Sequence, residues 1–152
     1  MQITDLDNWH VLLQSQHCKR IKLSVADTEL SLEVANNHEA LAIGLMGREY
    51  LPPLSGMIFV YRRPRDITFW MKNTPLALDM IFLDHRGVVS KVHPNAKPFD
   101  PTPIFGGSEI QYIIEIAAGE TQRLKIKEGD QIEGVDVILS EPFWKWSDPF
   151  WK

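Results

Sequence analysis

Arg20-Ile21-Lys22-Leu23-Ser24-Val25 and, after a turn at Asp27-Thr28, Leu30-Ser31-Leu32-Glu33-Val34 carry the pattern that decides the fold class. Ile21, Leu23 and Val25 alternate with polar residues, and so do Leu30, Leu32 and Val34. Successive side chains on a strand point to opposite faces, so a period of two marks a hairpin with one buried face. Downstream, Asn36-Asn37-His38-Glu39 breaks the period. Asn36 with Glu39 three residues later resembles a capping box. Leu41 and Leu45, with Ala42 and Met46 beside them, then give one short amphipathic helix over about 37–46. Gly47 stands where a helix-ending residue belongs, and Pro52-Pro53 turns the next stretch into loop.

Farther along, short strands are predicted at 57–61, 67–71, 78–83, 88–92 and 111–117. Met80 to Leu83 is unbroken and apolar, as in a strand buried on both faces. Asp84-His85-Arg86-Gly87 is a tight turn. Pro94, Pro98, Pro101 and Pro103 make 94–103 a loop. A helical turn is expected at about 121–126, and Ile132 with Val135 to Leu139 closes the domain. The fold class is mainly β: an antiparallel sandwich or jelly-roll-like barrel with one helix. The chain divides into a polar N-terminal leader (1–19), one β-rich domain (20–140) and an aromatic-rich C-terminal tail (141–152).

The 152 residues, 44% hydrophobic and 24% charged, suffice for one domain whose core needs no disulfide or metal. A net charge of −4 argues against a general affinity for nucleic acid or anionic membrane. The single cysteine, Cys18, can form neither an internal disulfide nor a zinc site of several thiolates. The five histidines show no ligand-type spacing, so neither metal nor cofactor is expected. The first residues lack a basic stretch followed by an apolar one, and no apolar run reaches the ~18 residues of a membrane helix. The expected location is therefore the cytoplasm.

Chemistry concentrates at Phe69-Trp70-Met71-Lys72-Asn73-Thr74. If 67–71 is a strand, Lys72 and Asn73 lie at its end, where loops build sites. Asp79 begins the next strand, within reach of either in a hairpin. A binding cluster beside the Trp70 face competes with ordinary turn chemistry and a surface Lys72–Asp79 ion pair. Arg48, just past the helix, either satisfies free carbonyls or clamps an anion. Glu115, within Tyr112-Ile113-Ile114-Glu115-Ile116, either faces solvent or is a buried carboxylate needing a partner such as Arg48 or Lys72. Arg62-Arg63-Pro64-Arg65 reads as a solvated hairpin turn more readily than as a nucleic-acid contact. Gly106-Gly107-Ser108 reads as a flexible turn. Five aromatic residues between Phe143 and Trp151 either pack on the domain or bind a partner, a second copy or a membrane interface.

Taken in order, Leu41 to Arg48, Leu51-Pro52, Gly56 to Phe59, Phe69 to Thr74, Leu78 to Asp84, Tyr112 to Glu115 and Gly129-Asp130 form one signature. It resembles the prokaryotic family called domain of unknown function 192. The resemblance implies a mainly β, jelly-roll-like sandwich and no established activity. It places Arg48, Trp70, Lys72, Asn73, Asp79 and Glu115 at signature positions. Many relatives carry an export signal where this chain has its polar leader. The leading expectation is a small-molecule binding or accessory domain using those six residues. The alternatives are an interaction module acting through the tail and a hydrolase-type enzyme using Asp79 or Glu115.

Overall fold

The alternating segment folds as the expected hairpin. A computed structural model describes residues 19–139. In it β1 (Arg20–Val25) and β2 (Thr28–Ala35) pair antiparallel, with Ile21 opposite Leu32 and Leu23 opposite Leu30, all buried. Then follow α1 (His38–Ile43), β3 (Ser55–Phe69), β4 (Leu78–Leu83), β5 (Val89–Ala96), β6 (Ile104–Ala117), α2 (Glu120–Arg123), β7 (Ile132–Glu133) and a 3-10 turn at Val135–Val137. Cys18, nearly all of the leader and the aromatic tail lie outside the described residues.

The seven strands form one mixed sheet in the order β5-β4-β6-β3-β2-β1-β7, curled into a half-barrel. Its two edges meet at one end. Val89 N–H donates to the Asp130 carbonyl (2.8 Å), Gly129 N–H to the Val89 carbonyl (2.8 Å) and Ile132 N–H to the Gly87 carbonyl (2.9 Å). The chain is mainly β as expected, but the expected antiparallel sandwich or jelly-roll-like barrel is seen as one curled sheet forming a half-barrel. The expectation of uniformly antiparallel pairing fails at one place, because β2 and β3 run parallel. Parallel neighbours need a crossover, and α1 with the loop to Leu54 provides it.

The helix is shorter than the predicted 37–46. Asn37, not Asn36, caps it, its side chain accepting a bond from Ala40 N–H at 2.9 Å. Gly44, at φ +51°, ends it, and Gly47, at φ +77°, ends only the turns that follow. The two strands predicted at 57–61 and 67–71 are one 15-residue strand, β3. Register shifts against β6 between Val60 and Thr68 absorb the arginine-rich stretch. Gln111 Nε2 donates to the Tyr61 and Arg62 carbonyls (3.1 Å each), which keeps that irregular backbone satisfied. Gly106 and Gly107, read as a flexible turn, belong to β6. A Cβ on Gly106 would stand 2.2 Å from Phe82 Cε1, so glycine is what lets the ring pack there. Pro94 belongs to β5 rather than to a loop, since β5 is a sheet edge where a missing N–H costs little.

The central strands bury both faces, as the unbroken apolar run of β4 foretold. One face gathers Leu23, Leu30, Ile58, Ile81, Ile114 and Ile132 into the interior of the curl. The other carries Met57, Phe59, Met80, Phe82 and Ile113, packed with Ala40 and Leu45 from α1 and the turn after it. Among the described residues no helix is long and apolar enough to cross a membrane.

Candidate functional site

On the second face a carboxyl stands among the apolar side chains. β6 pairs Glu115 with Met57 on one side and Met80 on the other. Opposed residues share a face, so the Glu115 side chain points toward α1. It is 4% exposed, yet no hydrogen bond or ion pair reaches it among the described residues. Its carboxyl opens onto a cleft of about 200 Å³. The turn from Leu41 to Met46 forms one wall, and Phe59, Tyr61, Thr68 and Phe69 of β3 form another. Trp70, Lys72 and Thr74 line it from the loop after β3.

Local packing explains the shape. Phe59 and Phe69 meet edge to face with centroids 4.8 Å apart, and Phe69 does the same with Phe82 at 6.2 Å. Gly44 passes directly over them. A Cβ there would come within 2.9 Å of Phe59 Cζ and 3.9 Å of Glu115 Oε1. A side chain at this position would therefore crowd the Phe59 ring and touch the carboxyl.

The electrostatics follow from burial. Loss of water pushes the Glu115 carboxyl up to about 8, and no neighbouring cation offsets it. At neutral pH it is mostly the uncharged acid. Burial likewise pushes the Tyr61 hydroxyl up to about 12, with the Arg65 guanidinium opposing and the Glu115 charge adding. Arg65 stands 5.2 Å from the centre of the Tyr61 ring, and Lys72 Nζ stands 5.3 Å from that of Trp70. Trp70 itself is 42% exposed.

Of the six residues singled out in the sequence, Trp70, Lys72 and Glu115 share this cleft. The other three do not line it. Arg48 forms a two-pronged pair with Glu33, Nη2 lying 3.0 Å from Oε1 and Nη1 bonding Oε2. Asn73 sits at φ +56°, and its carbonyl accepts from Gly47 N–H at 2.8 Å, fastening the loop to the turns after α1. Asp79 is fully buried and fully used. One oxygen accepts from Asn95 N–H (2.9 Å). The other accepts from Gly119 N–H (3.1 Å), Thr121 N–H (2.9 Å) and the Thr121 hydroxyl (2.6 Å). It ties β4 to β5 and to the start of α2.

Asp79 is opposite Ile116 in the register, whereas Glu115 is opposite Met80. The two carboxyls therefore point to opposite faces, so Asp79 and Glu115 form no acid–base pair. The alternative of a surface Lys72–Asp79 ion pair is not formed: Lys72 lies over Trp70 and Asp79 is buried. Sequence reasoning missed Phe59, Tyr61 and Gly44. Strand alternation from Met57 already put Phe59 and Tyr61 on one face, but splitting β3 at its arginines hid the continuity.

A family model, described as an uncharacterised group under the heading DUF192, matches residues 16–134. The chain belongs to the DUF192 family. Two crystal structures resemble this DUF192 domain closely. One, from Sinorhizobium meliloti 1021, has a name that proposes a transcription regulator. It is 34% identical with a TM-score of 0.72, over 78% of this chain and 95% of that one. The other is a protein of unknown function from Novosphingobium aromaticivorans DSM 12444. It is 35% identical with a TM-score of 0.71, over 76% of this chain and 85% of that one. No curated protein matches the chain.

Proposed function

We propose that this DUF192 domain binds a small molecule in the cleft above Glu115. One observation carries the reading: a carboxyl 4% exposed, with no partner among the described residues, opens onto a cavity walled by aromatic side chains. The carboxyl oxygens keep only a trace of solvent contact through the cleft, and burying a polar group without a partner costs free energy, so a ligand that closes the cleft would have to supply that partner. The cleft combines apolar walls with a few polar groups, the usual make-up of a ligand site. Arg48, Asn73 and Asp79 support the site through the backbone and sheet instead of touching the ligand. An enzymatic role would need a second acid or base beside Glu115, and Tyr61 and Lys72 are the other titratable groups lining the cleft. The name of the Sinorhizobium relative raises a regulatory role. On this chain the exposed arginines of β3 belong to a protein of net charge −4, so nucleic acid is an arm of the test and not the leading reading.

The experiment is a thermal-shift screen of metabolites, sugars, nucleotides, short nucleic acids and metal ions. It is run on the wild type, Glu115→Gln and Lys72→Ala. A ligand at 100 times its dissociation constant adds about 2.7 kcal/mol, or roughly 5–10 °C for a domain of this size. A hit that weakens in Glu115→Gln is expected. Hits indifferent to both substitutions, or no hit in any class, would refute the cleft as the site.

A further inference from the structure

We propose that the occupant of the cleft is a small organic cation, a protonated amine on an apolar body, whose ammonium pairs with Glu115 while the body lies against Phe59, Phe69 and Tyr61. The inference rests on the binding reading above and adds the ligand's chemical class.

Three observations converge on it. The first is the carboxyl itself, unpaired among the described residues and the one acidic side chain among those lining the cleft. No anion can approach it in its charged form without repulsion, and no described cation reaches it. The second is the wall chemistry. Aromatic faces carry negative potential and attract ammonium groups, more strongly once water is excluded. Two rings of this cleft already hold cations, Lys72 on Trp70 at 5.3 Å and Arg65 on Tyr61 at 5.2 Å. The third is the lack, among the described residues, of a competing anchor for an acidic ligand. Lys72 is the one cation among the described residues that line the cleft, and it is engaged with the half-exposed Trp70. Its charge there is screened by water and salt.

The pairing carries a proton. In the empty protein Glu115 is mostly protonated at pH 7. An ammonium binds the carboxylate, so binding expels about one proton, and the affinity rises about tenfold per pH unit until the carboxyl titrates near 8. The other groups facing Glu115 do not confuse this signal. Tyr61 keeps its proton to about pH 12. The segment from Leu41 to Met46 brings no titratable side chain, and the β3 and β4 neighbours opposite Glu115 are Met57 and Met80.

The test is calorimetric titration with butylammonium, cyclohexylammonium, benzylammonium and tetramethylammonium. Each of the first three is paired with the alcohol of the same carbon skeleton. The expected result is that one or more ammonium ions bind at least tenfold tighter than the matched neutral compound at pH 8. That affinity should weaken about fiftyfold by pH 6 and be lost in Glu115→Gln. Repeating the titration at pH 7 in buffers of different ionisation heat should show about one proton released, a readout that needs no variant. Alcohols binding as well as ammonium ions, with the binding lost in Glu115→Gln, would overturn the cation while leaving the cleft as the site. Failure of every ammonium ion, or binding indifferent to pH and to Glu115→Gln, would overturn the inference outright. The binding reading itself then stands or falls with the wider screen.

Discussion

Replacing Glu115 by glutamine should make the domain more stable in alkali while changing little in acid. The unfolded chain titrates at the ordinary carboxyl value of 4.5, and the folded one at about 8. Because the folded-state value lies higher, folding favours the acid form. That contribution is fully present below pH 4.5 and is lost as the pH rises through about 8. At about 1.4 kcal/mol per pH unit, the interval sets an upper bound of about 5 kcal/mol, which water entering the cleft reduces. Glutamine keeps the shape and cannot ionise, so its stability should not show this loss. The assay is urea unfolding of both proteins at pH 4.5, 6.5 and 9, extrapolated linearly to water. The difference between wild type and variant should grow by several kcal/mol toward pH 9. Other groups, such as Asp84, whose carboxyl the Arg86 side chain and the Val88 and Arg86 backbone hydrogen bonds hold below the usual range against the opposing effect of burial, cancel in that difference. A difference constant to within about 1 kcal/mol across the range would mean that Glu115 titrates as in the unfolded chain, and the reasoning would fail.

Three further outcomes follow from the packing. Asp79→Ala strands three backbone N–H groups and a hydroxyl, each costing about 1–3 kcal/mol, so urea unfolding should show a loss of at least about 3 kcal/mol. Lys72→Ala, which removes only a cation–π contact at the solvent side, should stay within about 1 kcal/mol of wild type in the same assay. Gly56→Ala places a Cβ 1.9 Å from the Glu115 carbonyl oxygen and forces β3 away from β6, so its thermal midpoint should drop steeply or cooperative melting should vanish.

Much of the fold was legible because it is local. The period-two runs of β1 and β2 and the doubly buried β4 follow from side-chain alternation and composition alone. The parallel pairing of β2 with β3 was not, because pairing partners are chosen in three dimensions. Nor was the continuity of β3. The carbonyls of Tyr61 and Arg62 are satisfied by Gln111, fifty and forty-nine residues away, and no local rule anticipates that. The site divides in the same way. Trp70, Lys72 and Glu115 were visible as unusual residues in strand or strand-end positions. Asp79 looked equally chemical, but its partners Asn95, Gly119 and Thr121 lie 16 to 42 residues downstream and make it a structural tie. What singles out Glu115 is the lack of any such partner among the described residues, a property of the packed fold that no local pattern records.

The central claim is that Glu115 is a buried carboxyl left unpaired by the described residues at an open cleft. Its most direct test is a pH titration of the Glu115 side-chain carboxyl carbon by ¹³C NMR in the ligand-free protein. The account predicts a midpoint near 8, and a midpoint near 4.5 would contradict it.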